Sequence, residues 1–376
     1  MTPRAAFVFD RAFTTYQIPD DHPLTPKRLR WTYELLDQYG AFDDSDSILV
    51  KPRPATDEEL MTFHTEEYVE AVKSFSRGER LEEQGRFNFS ESGDNPTFPG
   101  MYEASALATG ATLVAAELVD SGQVDVAFNI AGGLHHAYPD RASGFCIFND
   151  PVVAINRLLS RGRKVAYVDI DAHHGDGVQA AYYNTADVLT VSLHESGRYL
   201  FPGTGFTGDM GEGKGRGYSV NVPLHPYTGD DTYRFVFREV VMPLVRAFKP
   251  DILFTQLGAD AYYTDPLTHL QLTTKGYISV LTDFHRLGVP WIAVGGGGYN
   301  PGATARCWAL DYGVMCGMQW PDEIPEAFKD RLGAARLRDH RLDPVSLDSL
   351  KEDAQGYAEA VVAQIKDVIF PIHGLK

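Results

Sequence analysis

The segment VDIDAHHGDG, residues 168–177, concentrates groups that could do chemistry. Asp169, Asp171, His173, His174 and Asp176 follow an apolar run that reads as a buried strand. Asp169, Asp171 and His173 share parity, so in an extended chain they face one side. At the strand end, Asp171 and His173 could chelate one metal ion. A carboxylate with an imidazole suits zinc or another first-row divalent ion. Alone the DxH spacing says little, because Asp and His after a strand also serve as caps and turn residues. Three other segments strengthen it. Asp260 follows ILFTQLGA, His135 and His136 follow VDVAFNIAGGL, and Tyr299 follows WIAVGGGG. Asp171, His173 and Asp260 would supply three protein ligands and leave positions for water and substrate, the catalytic arrangement. The paired imidazoles of GGLHHA could act as general base and general acid. Asp169 and Asp176 are then candidates to fix their tautomers. His174 is left without a catalytic role and reads as support for the strand-end turn.

These groups need a scaffold that brings distant strand ends together. Strand-like runs are AAFVFD (5–10), VDVAFNIA (124–131), KVAYVDID (164–171), VLTVSLH (188–194), DILFTQLGA (251–259) and PWIAVGGGG (290–298). They are apolar throughout rather than alternating, the mark of strands covered on both faces. Helical patterns lie between them. Thr25 and Pro26 read as N-cap and first helical residue, with Leu29, Tyr33 and Leu36 on one face. Thr56 and Glu59 form a candidate capping box. Asp150-Pro151 opens a helix that Gly162 should close. Further helices are expected near 100–121, 231–248, 274–287 and 345–368. Strands alternating with helices imply a wound, mainly parallel sheet, whose C-terminal strand edge is where ligands bind. Residues 76–100 and the glycine-rich 201–217 fit no element and are expected as long loops, functional or mobile.

The chain has 376 residues and a formal net charge of −17, which argues against a nucleic-acid backbone binder. An acidic surface can still steer a cationic protein substrate. Three cysteines, Cys146, Cys307 and Cys316, with no CxxC, point to a reducing cytoplasm rather than a disulfide scaffold. The N-terminus lacks the apolar stretch of a signal peptide, and no run approaches a membrane span. Phosphate-loop look-alikes fail on context. GTGFTG (203–208) neither follows a strand directly nor opens a helix pattern. GDMGEGK (208–214) is followed by Gly215 where Ser or Thr is required, and GGGGY (295–299) runs into Asn-Pro.

GGLHHA (132–137), SGFCIFND (143–150), VDIDAHHGDG (168–177), SLH…FPGTG (192–205), GYSVNVPL (217–224), QLGADAYYTDPL (256–267) and GGGGYN (295–300) occur in one order. Together they resemble the class I-like zinc-dependent histone deacetylases, and more closely the bacterial acetoin-utilisation deacetylases. The match runs from HPLTPKRL (22–29) to ARCW (305–308), leaving about 65 C-terminal residues without diagnostic motifs.

The resemblance implies an α/β, three-layer arginase–deacetylase fold with an eight-stranded, mainly parallel sheet. It implies one domain over residues 1–376, with a motif-bearing core of about 20–310 and a helical portion of about 311–376. It assigns zinc, with ferrous iron as the alternative, to Asp171, His173 and Asp260. His135 and His136 become the catalytic pair backed by Asp169 and Asp176, and Tyr299 the phenol on the carbonyl oxygen. Gly144, Phe145, Phe201 and Leu267 become walls of an acyl-lysine tunnel, and Asp94 the rim carboxylate that holds the substrate backbone. It also implies potassium at an inner site (Asp169, Asp171, His173, Ser192, Leu193) and an outer site (Tyr182, Thr185, Val188, Tyr218). The expected reaction is hydrolysis of acetyl-lysine in proteins, with an acetyl-CoA synthetase as one candidate substrate. Acetylpolyamine hydrolysis and dinuclear ureohydrolase chemistry are the alternatives. Thr25, Pro266 and Gly302 stand where corepressor-bound relatives carry basic residues for an inositol phosphate, so no such complex is expected.

Overall fold

The computed structural model describes residues 4–376 except 17, 19–21, 44, 92, 341–343 and 346. The expected loop over 76–100 and the expected helix over 345–368 each contain one residue outside this set. Eight strands form one sheet: β1 (Ala5–Val8), β2 (Ser47–Val50), β3 (Val126–Asn129), β4 (Val165–Asp169), β5 (Val188–Glu195), β6 (Ser219–Leu224), β7 (Ile252–Gln256) and β8 (Trp291–Val294). Their order is β2-β1-β3-β8-β7-β4-β5-β6, and every neighbouring pair is parallel. All residues of β1, β3, β4, β5, β6, β7 and β8 are buried, as continuous apolar runs predict for strands covered on both faces.

Helices cover the sheet. Met101–Asp120 packs on β1, β3 and β8 and against Asp150–Leu159. Pro301–Cys316 packs between Lys27–Gln38 and Thr274–His285, and Asp348–Val368 lies along β6. Met101–Asp120 is rich in small residues for a steric reason. A Cβ at Gly110 would lie 1.8 Å from the Arg53 carbonyl oxygen, where the 53–55 backbone crosses the helix. Among the described residues, no helix is long and apolar enough to cross a membrane.

Several local expectations need correction. β2 and β6 were not among the strand-like runs. The helix after Thr25 begins at Lys27 with Pro26 as its N-cap, so the pair sits one residue earlier than expected. The Thr56–Glu59 capping box is present but closes a single turn, Asp57–Leu60. The expected 231–248 helix runs from Asp230 to Phe248 with a π turn at Phe237–Val241. Residues 76–100 are not all loop, since Leu81–Phe87 is a 3-10 helix.

Candidate active site

β3, β8, β7 and β4 are four consecutive strands in the middle of the sheet. Each ends in one of the sequence-derived groups, so residues between 135 and 299 converge on a single strand edge. Successive carboxylates shape the turn after β4. Asp169 Oδ1 accepts from the Asp171 N–H (3.1 Å), and Asp171 Oδ1 accepts from the His173 N–H (2.9 Å). This is why the spacing is two: an Asp side chain reaches the backbone donor two residues on.

His173 Nδ1 lies 3.0 Å from Asp171 Oδ1 and 2.9 Å from Asp260 Oδ2. Ligand atoms of these three buried residues all lie within 4.8 Å of one another. The remaining carboxylate oxygens are held from behind. Asp171 Oδ2 accepts from Gln256 Nε2 (2.6 Å) and the Gly297 N–H (2.7 Å), and Asp260 Oδ1 accepts from the Ala172 N–H (2.8 Å). Glycines permit this approach: a Cβ at Gly297 would sit 2.0 Å from Asp260 Oδ2, and one at Gly258 would sit 2.3 Å from Asp171 Oδ2. Burial and the adjacent Asp171 push Asp260 up to about 8. Burial opposes a charge on His173, yet Asp171 and Asp260 hold it well above the ordinary imidazole range. The cluster therefore favours a positive charge at its centre. A divalent cation fits it, displacing the imidazole proton as metal binding requires.

The histidine pair lies alongside. His135 Nδ1 is 2.7 Å from Asp169 Oδ2, and His136 Nδ1 is 2.7 Å from Asp176 Oδ1. Their Nε2 atoms are 3.0 Å apart, so one proton fits between them. Burial opposes a charge on His135, but Asp169 and Asp171 raise it to about 9. Burial and the neighbouring His135 lower His136 to about 4 despite Asp176. The pair thus favours one positive charge, on His135. Tyr167 and Tyr138 donate their hydroxyls to Asp169 Oδ2 (2.6 Å) and Asp176 Oδ2 (3.1 Å).

The other groups surround this centre. The Tyr299 ring lies 5.7 Å from Phe145 and 6.2 Å from His173, centroid to centroid. Phe201 packs 5.1 Å from His136 and remains 42% exposed, so one ring spans site and surface. Gly144 lies between His136 and Phe201. Leu267 is half-buried on the loop after Asp260. Asp94 is exposed; its carbonyl lies 3.2 Å from His22 Nε2, and the His22 ring packs on Phe145. Ser192 is the cross-strand partner of Asp169, with Leu193 beside it in β5. Tyr182, Thr185 and Val188 line the turn into β5. The Tyr218 carbonyl accepts from the Thr190 N–H (2.9 Å), next to that strand start. His174 binds Thr204 Oγ1 (2.8 Å) and Gln179 Oε1 (3.2 Å), so it ties the strand-end turn to the FPGTG loop.

Sequence reasoning missed the residues that hold these groups. Asp150 accepts from the Gly133 and Leu134 N–H groups, and Asn149 Nδ2 donates to the His135 and Ala137 carbonyls. SGFCIFND thus places Gly144 beside His136 and Phe145 beside Tyr299 at one end, and carries the cradle of the histidine loop at the other. Parity with their neighbours could have found Tyr167, two before Asp169, and Gln256, four before Asp260. Asn95, whose Oδ1 accepts from the Phe145 N–H (2.9 Å), carries no such signal.

The histone deacetylase domain family matches residues 22–314, and the chain belongs to that family. It is a family hydrolase with the arginase–deacetylase fold. It is similar to the acetoin utilization protein AcuC of Bacillus subtilis, at 44% identity over 85% of each chain. It is 37% identical to histone deacetylase 1 of Homo sapiens over 86% of this chain and 66% of that protein. Its structure resembles the crystal structure of an HDAC homolog from Aquifex aeolicus with a TM-score of 0.86 and 32% identity, covering 96% of this chain and 100% of that one. An HDAC homolog complexed with SAHA matches equally well.

Proposed function

We propose that this protein hydrolyses N-ε-acetyl-lysine in proteins to lysine and acetate, using a divalent metal held by Asp171, His173 and Asp260. The observation that carries this reading is the three-ligand cluster placed beside two imidazoles, each backed by its own carboxylate. Zinc suits the donor set, and ferrous iron is also compatible with it. Bound there, the ion would polarise the amide oxygen and acidify water. The chain's own groups do the rest. The His135–His136 pair takes the proton of the attacking water and returns one to the leaving lysine nitrogen. Tyr299 donates a hydrogen bond to the oxygen that becomes negative. Gly144, Phe145, Phe201 and Leu267 enclose the lysine methylenes, and Asp94 receives the peptide backbone at the rim. Potassium at the inner and outer positions would brace the β4–β5 ends. The AcuC relative and the SAHA-bound homolog support the deacetylase reading. Independence from an inositol-phosphate complex is supported by Gly302, where a Cβ would lie 2.6 Å from the Leu332 carbonyl oxygen, leaving no room for a basic side chain.

The test is acetate release from an acetyl-lysine peptide by protein stripped with a chelator and reloaded with Zn²⁺ or Fe²⁺, with acetyl-spermidine in parallel. Peptide turnover restored by metal is expected, and faster spermidine turnover would move the assignment to polyamines. Tyr299→Phe should lower kcat about 100- to 1,000-fold with the metal retained, the typical loss for one oxyanion donor. No release from either substrate after reloading would overturn the proposal.

A further inference from the structure

Asp265 belongs to the TDPL turn, 264–267, and is 9% exposed. Its two oxygens have separate tasks. Oδ1 accepts from the Leu267 N–H (3.0 Å), a local turn bond, and Oδ2 accepts from the Tyr299 N–H (2.8 Å), 34 residues away. Next to it, Asn300 Nδ2 donates to Thr264 Oγ1 (2.9 Å). The turn after Asp260 is thus fastened at two points to the residues that follow the glycine run.

That run is held by Asp171 at the Gly297 N–H and by Ala259 at the Gly297 carbonyl, and it ends one residue before Tyr299. Gly296 and Gly298 have φ of +124° and +133°, conformations open to glycine and without intrinsic stiffness. The Tyr299 ring meets Phe145 and His173 edge-on at 5.7 and 6.2 Å. The backbone bond to Asp265 is the directional anchor nearest to its hydroxyl-bearing side chain. Both partners of Asp265 are N–H donors, so the position calls for a carboxylate. An Asn would offer one acceptor oxygen and turn its NH₂ against the second donor.

We propose that Asp265 is a positioning residue that fixes Tyr299, and with it the Leu267 wall, relative to the reacting amide. This rests on the reading of Tyr299 as the oxyanion donor. A residue that merely stabilised the turn would lower stability without regard to what stands at 299. A residue that acts through the Tyr299 hydroxyl loses its effect when that hydroxyl is gone.

The experiment is a double-mutant cycle. Asp265→Asn and Asp265→Ala are made in the wild-type and Tyr299→Phe backgrounds of the zinc-loaded protein. Peptide kcat and KM, affinity for a linear alkyl hydroxamate and Tm are measured. With Tyr299 present, Asp265→Ala should lower kcat about 100-fold, the scale of an ångström-level misplacement, and Asp265→Asn about 10-fold. In the Tyr299→Phe background each should lower kcat less than about 3-fold, while Tm falls equally in both. Hydroxamate affinity should show the same background dependence. Equal losses of kcat and affinity in both backgrounds would overturn the proposal. Hydroxamate binding is read without turnover, so a wild-type protein that fails to hydrolyse peptide refutes the deacetylase reading and leaves the coupling measured. If Asp265→Ala does not fold, the near-isosteric Asp265→Asn completes the cycle.

Discussion

Gly144 has no room for a side chain. Its φ is +49°, and a Cβ there would lie 2.5 Å from His136 Cδ2 and 2.9 Å from Phe201 Cε1. One added methyl must push the imidazole or the ring. Gly144→Ala should therefore lower kcat/KM about 100-fold through displacement of His136. Metal content measured on the purified variant should be unchanged, because Asp171, His173 and Asp260 lie on other loops. At this scale the sequence singled out the groups that the strand edge brings together and left their supports unmarked. Asp171, His173 and Asp260 stand out because ionisable residues rarely follow core strands without function. Asn95, Asn149 and Asp265 are common polar residues, and the partners of their side chains lie up to 50 residues away in the chain. No local pattern encodes such a bond.

Among the elements, the segment around Asn95 braces the site. The 3-10 helix Leu81–Phe87 leads to Asn95, which is buried and holds the Phe145 backbone at φ +68°, a costly conformation for an aromatic residue. Asn95→Ala leaves that N–H unpaired, and denaturant titration should show a loss of about 1–3 kcal/mol. Peptide KM should rise with it, as the proposed tunnel role of Phe145 requires. Six strands were legible as apolar runs, and the two edge strands were not. β2 is four residues long with Ile48 and Leu49 exposed, so it lacks the buried signature. β6 contains Pro223, which reads as a strand breaker. It is tolerated because β6 pairs with β5 alone and its other edge needs no ladder donor. The 3-10 helix was missed because seven polar-rich residues with no apolar period resemble a loop.

For the molecule as a whole, buried neutral histidines set an acid limit. Burial pushes His64 down to about 4, where its Nε2 accepts from the Asn149 N–H. Burial and the adjacent His174 push His194 well below the ordinary range. An unfolded imidazole titrates near 6.5. Below that pH the unfolded chain takes up protons that the folded protein refuses. Stability therefore falls as pH drops through about 6.5 and, for His64, goes on falling to about 4. Each site contributes about 1.4 kcal/mol per pH unit, so the two together contribute about 3 kcal/mol per pH unit within the window. Denaturant titrations at pH 7.5, 6 and 5 check this, and His194→Gln should reduce the slope by about 1.4 kcal/mol per pH unit.

The order of the strands also bears on how the chain is made. β8, the last strand synthesised, inserts between β3 and β7 and joins the two halves of the sheet. Until residue 294 has left the ribosome, β3 and β7 each present an unpaired edge, the template on which chains misassociate. The carboxylates of Asp171 and Asp260 meanwhile lack the Gly297 backbone that packs against them. A nascent chain that stops short of β8 thus carries Asp171, His173 and Asp260 and still lacks the Gly297 backbone that encloses them.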